Sequence, residues 1–233
     1  MRTLLALLFL LMAPANASTE IRVGVHNFPP YFVVKGDNTC GGEAVELTRN
    51  ILQTDTITVR AVCATPARLF KMLSRGEVDL TINIKQTKTL PNNVSFINPP
   101  YAQLSLVLLT YNNQSTALTS LQQPTIAAIR GFDYLGQRQI LSERGFLLID
   151  LPDSIDAIKM FVKGRSNGLL TYEAPFSFYL AQQPPQLTQR YQRQLLEYID
   201  AYYVISDQSL HKLYISTTLS DYAATKQLRY FTQ

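Results

Sequence analysis

Four short stretches place reactive or hydrogen-bonding side chains where a strand is expected to end. Lys85, Thr87 and Lys88 follow one apolar run and supply two cations and a hydroxyl, a set that can hold an anion. Lys88 reads equally well as part of a solvated loop. Tyr172-Glu173 ends another apolar run, and a carboxyl there can grip a cation or donate a proton. Arg130-Gly131-Phe132-Asp133 opens a strand-to-helix turn, where backbone N–H groups bind anions without special side chains. Phe28, Tyr31 and Phe32 flank Pro29-Pro30 as candidate cleft walls; the alternative is inward packing, least favoured for Tyr31, whose polar tip suits a half-wet site.

These groups suit binding better than bond-making. The chain has no Gly-x-Ser-x-Gly, no His-Glu-x-x-His and no phosphate-cradling Walker loop. Its two histidines are His26 and His211. His26 either touches a ligand or is a satisfied structural histidine. Two His and two Cys show no zinc spacing. No catalytic residue, metal or cofactor is therefore expected. Lys and Arg number 21 against 17 acidic residues, scattered and without the basic stripe that nucleic acid requires.

The elements that position these residues repeat. Ala67–Thr81 and Ala157–Thr171 align on Lys71-Met72 with Lys159-Met160 and on Gly76 with Gly164. Each copy reads as a helix, a glycine that ends it, and a buried strand. Before the first copy, Ile21–Val25 alternates as a strand and runs into His26–Phe32, whose prolines exclude helix and central strand. The order strand, helix, strand, helix, strand predicts a parallel, doubly wound sheet, with ligand at the C-terminal strand ends. After Ser105–Tyr111, Asn112–Thr125 reads as a crossover. The pattern then restarts with strands at Thr125–Ile129, Phe146–Leu151 and Leu169–Tyr172. Helices are expected at Tyr134–Arg144, at Ile155–Val162 and at Ala174–Gln183. Gln182–Gln194 reads as loop or frayed helix, Tyr202–Ile205 and Leu213–Ser216 as returning strands, and Asp221–Phe231 as a terminal helix.

The fold class is thus α/β, with two doubly wound lobes joined by two strand-like hinge segments. Lobe 1 is expected to comprise 18–111 and 204–233, and lobe 2 112–203. Residues 1–17 read as an export signal: Arg2, the apolar run Leu4–Met12, and Ala15-Asn16-Ala17 with cleavage after Ala17. Export favours a disulfide between Cys40 and Cys63 over two free thiols, worth roughly 3 kcal/mol by chain entropy.

Arg22-Val-Gly-Val25, Pro29-Pro30-Tyr31, Gly42–Leu47, Leu73-Ser-Arg-Gly-Glu-Val-Asp-Leu80, Phe96-Ile-Asn-Pro-Pro-Tyr101, Ala157–Arg165 and Leu213–Ser216 together resemble the family 3 extracellular solute-binding proteins, which serve polar amino acid uptake. The resemblance covers nearly all of the chain after residue 17 and implies a periplasmic binding protein of type II fold. It implies a Thr-x-x-Arg whose guanidinium pairs with a ligand carboxylate. Here Thr87 fits, but Leu90 stands at the Arg position, so Lys85, Thr87 and Lys88 are the candidates to replace it as anion contacts, against a solvated loop for either lysine. The acidic residue for a ligand amine falls near Tyr172-Glu173, and the second lobe's motif Asp is Asn167.

The function so implied is capture of a small polar or charged solute, amino-acid-like or a small organic anion, for an inner-membrane ABC permease. The protein is expected in the periplasm as a monomer without nucleic-acid partners. The alternatives are a sensory module reporting to a receptor, and a small dehydratase acting on cyclic carboxylic acids with Glu173 as general acid.

Overall fold

A computed structural model describes residues 19–36, 39–112 and 123–233. The segment read as an export signal with its expected cleavage point, and most of the segment read as a crossover, lie outside the described residues.

The first half of the chain contributes β1 (Thr19–Val25), the short hairpin β2 (Val33–Val34) and β3 (Cys40–Gly41), α1 (Glu43–Leu52), β4 (Ile57–Cys63), α2 (Pro66–Ser74) and β5 (Leu80–Ile84). Then come β6 (Val94–Phe96) and the long β7 (Ala102–Tyr111). The second half contributes β8 (Thr125–Ile129), α3 (Gln137–Glu143), β9 (Leu147–Leu151), α4 (Ser154–Val162), β10 (Gly168–Tyr172) and α5 (Glu173–Leu180). A 3-10 turn, Pro185–Arg190, leads into β11 (Tyr191–Ser206), and α6 (Lys212–Lys226) closes the chain.

One nine-stranded sheet runs in the order β4-β1-β5-β11-β7-β10-β8-β9, with β6 also on β11. It is two copies of one plan. β1 pairs in parallel with β4 and β5, and β8 in like manner with β9 and β10. Each triplet is completed by an antiparallel strand, β11 on β5 and β7 on β10. β7 and β11 pair with each other over nearly their whole length, with a register shift at Leu195/Glu197. The fold is therefore α/β with two doubly wound lobes, joined by two strand-like segments.

The repeated helix ends are alike in backbone detail. Gly76 (φ +68°) and Gly164 (φ +71°) adopt the left-handed conformation. Glu77 N–H reaches Met72 O, and Arg165 N–H reaches Met160 O, each closing the last turn. The strand that follows is anchored alike. Arg22 N–H donates to Asp79 Oδ2 and Asp79 N–H to Arg22 O; Thr125 N–H donates to Asn167 Oδ1 and Asn167 N–H to Thr125 O. Asp79 and Asn167 thus tie neighbouring strands together, which is why the exchange of Asp for Asn leaves the second lobe's plan intact.

The C-terminal elements differ from the sequence-based expectation. Leu213–Ser216 lies inside α6, not in a strand. Its residues favour strands locally, yet Ile215, Leu219 and Ala223 recur at helical spacing and are all buried. The terminal helix accordingly starts and ends earlier than Asp221–Phe231. Gln194 and its neighbours belong to β11, whose pairing with β7 overrides their polar composition. Cys40 and Cys63 form a disulfide, with Cα atoms 5.7 Å apart, stapling β3 to β4.

Candidate functional site

β1 ends in a tight aromatic loop. Phe28 and Phe32 exchange backbone hydrogen bonds of 2.9 and 3.0 Å, which turns their rings into the protein and leaves both buried. The loop is seated on the start of α1. Glu43 N–H donates to Pro30 O and Ala44 N–H to Tyr31 O. Gly42 (φ +115°) permits this approach, because a Cβ there would lie 2.4 Å from Tyr31 O. The first N–H groups of α1 are thus engaged by the loop and are not free for an anion.

Opposite lies the β8 turn of the second lobe. Some of its N–H groups are engaged within the turn. Phe132 N–H donates to Ile129 O, and Gly136 N–H to the carboxylate of Asp133. Arg130, Gly131, Phe132 and Asp133 all line the cleft, and the N–H groups of Gly131 and Asp133 have no backbone acceptor among the described residues. Tyr134 sends its hydroxyl back to accept Ile129 N–H and is buried.

Between these loops is a cavity of about 40 Å³. Phe28, Tyr31, Thr87, Phe132 and Tyr172, all expected at the site, line it. It adjoins a second cavity of about 110 Å³ that shares Thr87, Phe132 and Tyr172 and adds Lys88, Arg130, Gly131 and Asp133. The inner chamber is aromatic and the outer one carries charge. Phe28 stacks on Tyr31 at 6.4 Å and meets Tyr172, from the other lobe, edge-on at 5.4 Å.

Two expected residues are placed elsewhere. Lys85 lies over the Tyr202 ring, 4.0 Å from its centroid, and Glu173 bonds Arg193 (2.9 Å) and Ser177 (3.0 Å). Both come directly after the last residue of a strand, Ile84 of β5 or Tyr172 of β10, where the chain leaves the sheet: Lys85 enters a turn and Glu173 opens α5. Leu90, at the position where the family resemblance implies an arginine, packs against the cluster of Leu69, Leu73, Val78 and Val204. No carboxylate contact can come from there.

Asn83, Tyr101 and Phe32 line the inner cavity without having been singled out for it or, for Phe32, without the choice being settled. The signals were slight: one polar residue inside the apolar strand Leu80–Ile84, and a tyrosine closing the second Pro-Pro loop as Tyr31 closes the first. His26 also lines it, buried, with its Nδ1 making no hydrogen bond. Burial pushes its pKa down to about 4, against a smaller upward pull from Asp153. Its imidazole is therefore neutral near pH 7. Burial also raises the phenol pKa of Tyr101 and Tyr172, so both hydroxyls stay protonated.

The lobes touch through polar contacts at the rim. Asn27 Nδ2 donates to Asp153 Oδ2 at 3.3 Å, and Ser154 Oγ donates to Asn27 O at 3.0 Å, so the start of α4 rests on the end of β1. Lys88 Nζ sits 3.1 Å from Asp133 Oδ2. With Lys88 largely exposed, this pair contributes at most about 1 kcal/mol. Lys88→Ala should accordingly shift the urea midpoint by an amount near the limit of measurement. A loss above 2 kcal/mol would show a stronger latch than the geometry supports.

Among the described residues, no group of three His, Cys, Asp or Glu side chains gathers as a metal site, and no helix is long and apolar enough to cross a membrane. No curated protein matches the chain significantly. Solved structures do, at low identity. An ABC uptake transporter substrate-binding protein from Streptococcus pneumoniae, with bound histidine, matches with TM-score 0.71 and 16% identity over 91% of this chain and 88% of that one. A histidine kinase sensor domain with similarity to periplasmic binding proteins matches with TM-score 0.69 and 20% identity over 91% and 93%. An ancestral amino-acid-binding protein, a precursor of cyclohexadienyl dehydratase, matches with TM-score 0.66 and 16% identity over 89% of each chain. These likenesses concern the fold. The sequence pattern of one family spans residues 21–214, and with it the chain belongs to the bacterial extracellular solute-binding proteins, family 3.

Proposed function

We propose that this protein captures a small polar or charged solute between its lobes in the periplasm and presents it to an inner-membrane ABC permease. One observation carries the reading: an aromatic chamber at the facing C-terminal strand ends, walled by Phe28 and Tyr31 from one lobe and by Phe132 and Tyr172 from the other. A ligand touching both lobes favours their approach, and its differential affinity for the closed form drives closure. The outer chamber, with Lys88, Arg130 and Asp133, suits the charged end of an amino-acid-like solute or a small organic anion. The lobe bounds expected from sequence, 18–111 with 204–233 and 112–203, are moved inward in this reading. The pairing of Leu106–Thr110 with β10 favours a crossing within β7 itself, opposite the Leu195/Glu197 shift in β11. A cleaved leader ending at Ala17 and a monomeric state complete the proposal.

The test is thermal denaturation with a library of amino acids and small organic anions. A true ligand at 100 times its Kd should stabilise the fold by about 2.7 kcal/mol. No stabilisation by any member would end the reading.

A sensory role is the second reading, favoured by the likeness to a kinase sensor domain. Capture of a receptor ectodomain by the liganded protein, with no stimulation of permease ATPase, would select it. A dehydratase gains less support, since Glu173, its required acid, is bonded to Arg193 and Ser177 outside both cavities. Aromatic product from prephenate or arogenate would reinstate it.

A further inference from the structure

The inner chamber has a chemistry of its own. None of its lining residues is Asp, Glu, Lys or Arg, and its one imidazole is neutral near pH 7. An ionised group placed there would lose its water without gaining a counter-charge. Flat rings meet no such penalty. Tyr31 packs edge-on to Tyr101 at 5.6 Å, and Phe132 tilts over His26 at 6.4 Å, spacings at which aromatic rings attract one another.

One wall is polar and already oriented. Asn83 Oδ1 accepts Ile84 N–H at 2.8 Å and Thr87 Oγ1–H at 2.6 Å. The Ile84 N–H can only donate, so the oxygen of this amide is assigned by it. That leaves Nδ2 without a hydrogen-bond partner among the described residues, on a residue that lines the chamber. Two bonds on the oxygen hold this donor in place without further ordering cost.

We infer that the inner chamber seats an uncharged flat ring, aromatic or heteroaromatic, whose carbonyl or ring-nitrogen acceptor meets the Asn83 amide. The inference rests on the solute-binding reading and names the part of the ligand that goes deepest. Any charged substituent projects into the outer chamber towards Lys88 and Arg130. A ring is larger than 40 Å³ allows, so it enters as the lobes part and is clasped by Phe132 and Tyr172 as they return.

The experiment is calorimetric titration of the purified protein with three sets of probes. Nicotinamide and benzamide carry ring and acceptor, toluene carries the ring alone, and glutamate and arginine carry charge without an aromatic ring. Nicotinamide and benzamide should saturate, and Asn83→Leu should weaken them about tenfold while leaving toluene unchanged. Asn83→Ala, which removes the amide donor without adding bulk or charge, should weaken them likewise and covers the case in which the leucine variant fails to fold. Equal binding of the ring amides to parent and variants overturns the role of Asn83. Binding of glutamate or arginine with no ring amide overturns the inference and leaves solute capture standing. Binding by no probe, together with a silent solute library, removes both.

Discussion

Asp79→Ala should destabilise the protein by about 3–5 kcal/mol, the penalty for breaking a buried ion pair from one side. Asp79 has no solvent exposure on its side chain. Its two oxygens accept Arg22 N–H, Arg22 Nε and Nη2, and the Ser209 hydroxyl. Removing the carboxylate leaves a strand N–H and a hydroxyl without their acceptor, and a half-buried guanidinium with Gly76 O alone. It also unties three distant pieces, since Arg22 is on β1, Asp79 begins the run into β5, and Ser209 precedes α6. Asn167→Ala is the internal control. It occupies the same place in the second lobe but accepts only from Thr125 N–H and Oγ1, and no charge is involved. Its cost should be about 1–3 kcal/mol. Urea unfolding followed by far-UV circular dichroism suits both, because the chain has no tryptophan. If the two substitutions cost the same, the charge on Asp79 adds nothing beyond its hydrogen bonds.

That pair also shows what could be read from the chain and what could not. The alignment of Gly76 with Gly164 was legible because a helix end needs a left-handed residue, and the surrounding apolar spacing repeats with it. The disulfide was legible from the expectation of export and an even cysteine count. The limit came at side-chain direction. Lys85 and Glu173 stand at strand ends beside the cleft, as expected, but the chain leaves the sheet there, into a turn and into α5, and their side chains find partners outside both cavities. Their neighbours Ile84 and Tyr172 took the inward places. α6 was hidden for another reason. Its first turn, Leu213–Ser216, carries β-favouring residues, and only the longer stripe through Ala223 reveals the helix. The site's polar members, Asn83 and His26, sit inside apolar or aromatic runs. Position in the closed fold gives them meaning, and residue type alone does not.

His26 should make the protein lose stability on acidification in a window set by its own two pKa values. In the unfolded chain its pKa is the ordinary 6.5, and in the fold burial holds it at about 4. Above pH 6.5 both states carry a neutral ring and the group contributes no pH dependence. As pH falls from 6.5 towards 4 the unfolded state takes up a proton that the native state refuses, and stability declines; below about 4 both are charged and the decline stops. The total for this window is about 3 kcal/mol. The groups facing the ring account for the direction. Phe28, Phe32 and Phe132 surround it with apolar edges, and Asp153, at the cap of α4, is the one carboxylate acting on it. Asp153 already accepts Asn27 Nδ2 and Asp156 N–H, so it answers only part of the desolvation. His26→Phe should fit among these rings and remove the unpartnered nitrogen. Comparison of parent and variant by urea unfolding at pH 7.5 and 4.5 cancels the other carboxylates. The variant should be near the parent at pH 7.5 and ahead of it by about 2–3 kcal/mol at pH 4.5. Parallel losses in the two proteins would mean that His26 titrates normally, and that water reaches the inner chamber freely enough to hydrate a charge.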